Sequence, residues 1–271
     1  MKIHLDVNGQ AHEIEAPAGE SLLKSLRKEG VFGVKHGCET GECGACAVRI
    51  DGKLVNSCVH LAAQADGKSI ETIEAVGEHP EHAWKESKGL DPLQQAFAIS
   101  GAIQCGYCTP AMILAARELL ERNPDPSEAE VRDALSGVLC RCTGYVKPVQ
   151  AILHAAAVIR GEAQPDDWFH PTELEKFFIP PADADDDMPT NGDTVVRVLP
   201  RVLIAPQTEN WKSVGRPEIK VDALKLVQGK PAFAADIEMR GMLHAKVLKS
   251  PHAHARIKQI DISKAKALPG V

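Results

Sequence analysis

At 271 residues, 44% hydrophobic and 25% charged, the chain has an ordinary globular composition and the length of about two domains or more. A formal net charge of −6 and only 4% aromatic residues argue against an electrostatic nucleic-acid surface and against a base-stacking platform. No apolar run reaches the ~20 residues that span a bilayer. Met1 to Gly9 shows neither the apolar core nor the small-residue cleavage site of a secretory signal, so the expected location is cytoplasmic unless a partner's signal exports it.

Residues 1–76 are expected to form a small sheet domain. Lys2–Val7 and Ala11–Glu15 read as strands joined by Asn8-Gly9, a strong hairpin turn. Ser21 is placed to cap a short helix with Leu22, Leu23 and Leu26 on one face. Ala47–Ile50 and Lys53–Ser57 flank a second hairpin turn, Asp51-Gly52, and Ile70–Ile73 is a last strand. Hairpin, helix, loop and further strands suggest a β-grasp sheet.

Between helix and second hairpin lie Cys38, Cys43 and Cys46, with Cys58 further on. The spacing C-x4-C-x2-C is that of plant-type [2Fe–2S] ferredoxins. Gly37, Gly41 and Gly44 let such a loop fold back closely and aim backbone N–H groups at sulfur. Zinc usually takes two separated cysteine or histidine pairs, and disulfide frameworks suit short secreted chains, so both fit the pattern less well.

Residues 77–161 change to helical patterning. Asp91-Pro92 opens one helix through about Ser100, Thr109-Pro110 opens a second that Asn123-Pro124 ends, and Ser127-x-x-Glu130 is a capping box for a third. Pro148 begins a fourth, ended by Gly161. Four short helices with apolar faces make a small bundle. Cys105, Cys108, Cys140 and Cys142 fall at its joints. Taken alone, C-x2-C plus C-x-C leaves zinc open, though C-x-C crowds a tetrahedral site; a thioredoxin-like pair lacks its βαβ context.

Residues 162–212 are acidic and interrupted by Pro165, Pro171, Pro180, Pro181 and Pro189, the pattern of an extended linker or disordered spacer, with Trp168, Phe169, Phe177 and Phe178 as anchor points. From Ser213 to Val271 a new fold begins, with Met242–Lys249 alternating like a strand. His252 and His254 share one strand face, but no third ligand is evident, so strand-edge histidines are the simpler reading. These last residues are too few to close a β-rich domain, so strands from a separate polypeptide are expected to complete it.

The two cysteine sets, with Gln104-Cys-Gly-Tyr-Cys108 and Cys140-Arg-Cys-Thr-Gly-Tyr145, resemble the iron–sulfur half of the molybdenum hydroxylases, the family of xanthine dehydrogenase and the molybdenum aldehyde oxidoreductases. The resemblance covers residues 1–160, and residues 213–271 resemble the opening of that family's molybdopterin-binding domain. It implies an α+β chain: an N-terminal β-grasp [2Fe–2S] ferredoxin-like domain, a four-helix [2Fe–2S] domain, a long linker and the beginning of an α/β molybdopterin-binding domain. It assigns Cys38, Cys43, Cys46 and Cys58 to a distal cluster and Cys105, Cys108, Cys140 and Cys142 to a proximal one, with Gln104 and Cys142 contacting the pterin.

No flavin domain intervenes, which favours the layout of aldehyde oxidoreductases; purine or other N-heteroaromatic hydroxylation, or a self-standing ferredoxin-like carrier, are the alternatives. The implied partners are a polypeptide holding molybdenum on molybdopterin, in its cytosine dinucleotide form, and a flavin (FAD) subunit or another acceptor. No catalytic residue is expected in this chain, because the family's molybdenum-site Gln and catalytic Glu lie farther downstream.

Overall fold

The computed structural model describes residues 1–78, 89–165, 218–237 and 239–271. The anchor residues Trp168, Phe169, Phe177 and Phe178, and Ser213, lie outside these. Two units are distinguished, Met1–Asp236 and Ile237–Val271.

The first unit opens with strands β1 (Lys2–Val7) and β2 (Gln10–Glu15), antiparallel with Ile3 opposite Ile14 and Val7 opposite Gln10. Asn8 and Gly9 both have positive φ, as the tight turn between them requires. Helix α1 (Leu22–Lys28) follows; the Ser21 hydroxyl accepts the Lys24 N–H, and Leu22, Leu23 and Leu26 are buried beneath it. Strands β3 (Ala47–Ile50) and β4 (Lys53–Asn56) form the second hairpin across Asp51-Gly52. Strand β5 (Ser69–Glu71) runs parallel to β1 and antiparallel to β3, giving the order β2-β1-β5-β3-β4. The strand expected through Ile73 ends at Glu71, and Ile73–Ala75 is a 3-10 turn. One sheet face and α1 enclose a core of Ile3, Leu5, Val7, Ile14, Val48 and Ile70.

The bundle consists of α2 (Pro92–Ile99), α3 (Thr109–Arg122), α4 (Glu128–Leu135) and α5 (Val146–Ile159). Asp91 accepts the Leu93 N–H, and Ser127 and Glu130 exchange the two bonds of a capping box. Two helix starts differ from expectation. Thr109 is the first residue of α3 rather than its cap, because Cys108 occupies the cap position. Helix α5 begins two residues before Pro148, since proline is tolerated anywhere in a first turn where its missing N–H has no partner to lose.

Sheet and bundle are joined on one seam. Arg49 of β3, only 5% exposed, lies between Glu71 of β5 and Glu121 of α3; Arg117 pairs with both carboxylates. The Leu54 N–H donates to Glu118 at 3.1 Å. A buried guanidinium is tolerable here because two carboxylates and the Gly52 carbonyl saturate it.

After the undescribed stretch, the short helix α6 (Ala223–Val227) buries Ala223, Leu226 and Val227 in the bundle core. In the second unit, residues 239–271 contain one short helix, α7 (Ser263–Lys266), and no strand. The strand expected over Met242–Lys249 is not formed; Leu243, Val247 and Leu248 are 91%, 78% and 83% exposed. Alternating sequence does not hold a strand without a neighbour to accept its ladder bonds.

Candidate functional site

The first three cysteines sit on the loop between α1 and β3, and Cys58 follows β4. Gly41 and Gly44 have φ of +82° and +69°, which turn this loop tightly. The Thr40 and Cys43 N–H groups both lie 3.4 Å from the Cys38 sulfur. Hydrogen bonding from Thr40, reinforced by these N–H groups, brings the Cys38 thiol down to about 5. Burial pushes Cys46 up to about 11, with the neighbouring Cys58 thiol also acting on it. The four sulfurs therefore fall into two pairs, Cys38 beside Cys43 and Cys46 beside Cys58.

The second set is assembled from two joints of the bundle. Cys105 and Cys108 precede α3, while Cys140 and Cys142 lie between α4 and α5. The pairing repeats: Cys105 has Cys142 as its electrostatic neighbour, and Cys108 has Cys140. Burial raises Cys108 strongly, with the neighbouring Cys140 adding to it. Burial also acts upward on Cys140, but the Thr143 hydroxyl, 3.1 Å from its sulfur, and nearby N–H groups outweigh it and lower this thiol. Cys108 is buried, whereas Gln104, Cys105 and Cys142 are exposed. Tyr145, at φ +66°, folds its ring back so that its hydroxyl accepts the Cys140 N–H at 2.7 Å and donates to the Val138 carbonyl.

Sulfurs that arrive two by two suit a two-iron rhomb, in which each iron takes two thiolates. The donor set is all sulfur, four per site, with backbone N–H groups directed at sulfur in the first site. Both sites thus fit a [2Fe–2S] group better than a single zinc ion.

The two cysteine loops touch. The Leu139 N–H, beside Cys140, donates to the Cys43 carbonyl at 2.9 Å. A Cβ on Gly44 would lie 2.0 Å from the Gly137 carbonyl oxygen, so only glycine permits this approach. Tyr107, between Cys105 and Cys108, donates its hydroxyl to the His36 carbonyl, two residues before Cys38, at 2.5 Å. None of these cross-links was read from the sequence. In the sequence Tyr107 is only a residue between two cysteines, and the Gly44–Gly137 contact joins positions far apart in the chain.

A protein with a β-grasp sheet, a helical bundle and two four-cysteine sites on adjoining loops is an iron–sulfur protein of the two-cluster class. Comparison with known proteins names the family. Residues 5–72 match the 2Fe-2S iron-sulfur cluster binding domain and residues 72–153 the [2Fe-2S] binding domain. Residues 228–271 match the aldehyde oxidase and xanthine dehydrogenase a/b hammerhead domain.

The nicotine 6-hydroxylase small subunit of Paenarthrobacter nicotinovorans is 45% identical over 160 residues, 59% of this chain and 92% of that protein. The aldehyde oxidoreductase of Megalodesulfovibrio gigas is 36% identical over 98% of this chain, which corresponds to 26% of that longer protein. Among solved structures, the aldehyde oxidoreductase of Desulfovibrio desulfuricans superposes with a TM-score of 0.74 at 32% identity, covering 99% of this chain and 26% of its own. The chain belongs to the molybdenum hydroxylase family, of the xanthine dehydrogenase and aldehyde oxidoreductase type, and carries matches to its two [2Fe–2S] domains and its hammerhead domain. It spans about a quarter of the length of the aldehyde oxidoreductases it matches.

Proposed function

We propose that this chain is the electron-transfer portion of a molybdenum hydroxylase that oxidises an aldehyde, passing two electrons from a molybdopterin centre through two clusters to an external acceptor. The observation that carries this reading is the arrangement of eight cysteines in two sets of four whose loops are joined by hydrogen bonds. A [2Fe–2S] group supplies one-electron storage when bound, so two of them match a two-electron oxidation.

In this reading Cys38, Cys43, Cys46 and Cys58 hold the distal cluster, and Cys105, Cys108, Cys140 and Cys142 the proximal one. The chain's own residues hold thiolates in pairs, direct N–H groups at the Cys38 sulfur and exclude water around Cys46 and Cys108. The exposed Gln104 and Cys142 are assigned as pterin contacts, which their position at the open edge of the second site supports. The domains are assigned as 1–76, 77–161, a linker 162–212 and a pterin-binding part from 213.

The apolar, unpaired residues after Met242 support completion of that part by further polypeptide carrying molybdenum on molybdopterin cytosine dinucleotide, with FAD on a separate subunit. Aldehyde is preferred to purine or N-heteroaromatic substrates because, of the matches that run through the hammerhead segment, an aldehyde oxidoreductase is 36% identical and a probable hypoxanthine oxidase 32%. Those matches also disfavour a self-standing carrier. A reducing cytoplasm is the proposed location, where thiols remain available for cluster assembly.

The test is the cofactor content of the purified protein: about four iron and four sulfide per chain, with two distinguishable signals on reduction. Stoichiometric zinc, or iron near two per chain, would reject the reading.

A further inference from the structure

We propose that residues 218–236 form a strap that fixes the two cysteine-bearing modules against each other, and that Asp236 is the positioning residue that locks it. Asp236 has a side chain only 1% exposed, and it lies far along the chain from the two cations it binds, Arg27 and Lys35. Its carboxylate accepts from Arg27 Nη2 at 3.0 Å and from Lys35 Nζ at 3.2 Å. It also accepts the N–H groups of Ala232 and Phe233, each at 3.2 Å, which curls the strap into a closed turn. Arg27 donates further to the carbonyls of Ala235 and Val34, so one guanidinium grips the strap and the loop leading to Cys38 together. Lys35, 2% exposed at its side chain, donates to the Phe32 carbonyl and lies 5.1 Å from the Phe233 ring.

The same strap holds the bundle. Gln94 of α2 donates to the Val227 carbonyl at 3.0 Å. Leu226 packs so closely on Gly106 that a Cβ there would come within 2.6 Å of it. Phe233 meets Tyr107 edge-on, with ring centroids 4.9 Å apart. On the sheet side, Gly229 lies against Gly33 and Ile73 with no room for a side chain. Arg27, Gly33 and Lys35 therefore face the strap from the module of the first site, and Gln94, Gly106 and Tyr107 from the module of the second. Gly106 and Tyr107 lie within the second cysteine set and Lys35 three residues before the first, so a shift of the strap moves both loops. A buried carboxylate satisfied by four donors has one low-energy placement, and its loss leaves two buried cations without their counter-ion.

This inference rests in part on both sites holding clusters, and the experiment separates the two ideas. In the full chain purified with its clusters, Asp236→Asn should speed amide exchange of Val227 to Phe233 about 100-fold. Both reduced-cluster signals should persist, while the magnetic splitting that each imposes on the other changes. Asp236→Glu should restore exchange to within about tenfold of the parent together with most of the splitting. Unchanged exchange in Asp236→Asn overturns the strap, and faster exchange with unaltered splitting overturns its positioning role. Should Asp236→Asn not fold, Phe233→Ala gives the same reading at the half-buried end, with exchange about tenfold faster expected and no change refuting the strap. The exchange arm needs no cluster, so iron near two per chain would reject the two-cluster reading while leaving the strap standing on its own result.

Discussion

The two cysteine sites are built in opposite ways. The first takes three of its four sulfurs from one glycine-rich loop of nine residues, and the fourth from the end of the hairpin that follows. The second gathers two pairs from joints separated by the whole of α3 and α4. A local loop can preform its site with few tertiary contacts; a site at helix joints exists only while the bundle does. The first site should therefore survive perturbations that erase the second, and the second should report faithfully on the bundle's packing.

The sharpest way to break this comparison is to remove one ligand from each. Cys43→Ser should abolish the first site's signal and leave the second's, and Cys108→Ser the reverse, each lowering iron from about four to about two per chain. Loss of both signals from a single exchange would show that the sites do not assemble independently.

Gly44→Ala attacks what they share. At φ +69°, with the Gly137 oxygen 2.0 Å from the new Cβ, the loops must separate, at a cost of about 2–4 kcal/mol. The bond from Leu139 to Cys43 should open, seen as rapid exchange of the Leu139 amide. A protected Leu139 amide in this variant would mean that the loops accommodate the methyl by another route.

Leu135→Ala tests dependence on the bundle. Leu135 is 1% exposed at the end of α4, and its truncation should cost about 2–5 kcal/mol. Thermal scans followed through each cluster's absorption should show the second site bleaching at lower temperature than the first. Coincident bleaching would join the two into one cooperative unit.

Smaller effects come from the caps and from acid. Ser127→Ala removes the hydroxyl arm of the α4 capping box, leaving the bond from the residue-127 N–H to Glu130, and should cost about 1 kcal/mol, measurable by denaturant midpoint. For Asp236, burial acts to raise the carboxyl, but the Ala232 N–H, Lys35 and Arg27 outweigh it and hold it below its ordinary 3.8. A depressed carboxyl contributes stability above its unfolded value and loses it as pH falls through the folded one, so the strap should loosen only below about pH 4. Burial pulls Lys35 down more than Asp236 and Glu74 pull it up, while Arg27 opposes it as a like charge. The two partners' shifts thus point to opposite signs for the pair. The carboxylate's direction is the firmer guide, because four donors surround it, whereas Lys35 meets two acceptors. Strap amides exchanging faster already at pH 6 would contradict that assignment.

Much of this was legible in the chain itself, because the signals are local. Asn8-Gly9 and Asp51-Gly52 set two hairpins by their tolerance of positive φ, and Ser21, Asp91 and Ser127 set three helix starts by accepting N–H groups a few residues on. The spacing of Cys38, Cys43 and Cys46 is likewise a property of one loop. The grouping of Cys105, Cys108, Cys140 and Cys142 into one set came only through the resemblance, and the closeness of Cys105 to Cys142 and of Cys108 to Cys140 only from the structure, since intervening helices decide it. Tertiary structure alone decided the Leu139–Cys43 bond, the Tyr107–His36 link and the Asp236 lock. Each joins groups whose separation along the chain carries no periodic or spacing signal, and each forms only because packed elements bring those groups within hydrogen-bond reach. The strand expected over Met242–Lys249 marks the same boundary from the other side: its alternation is plain in the sequence, but a ladder needs a neighbour, and residues 239–271 provide none.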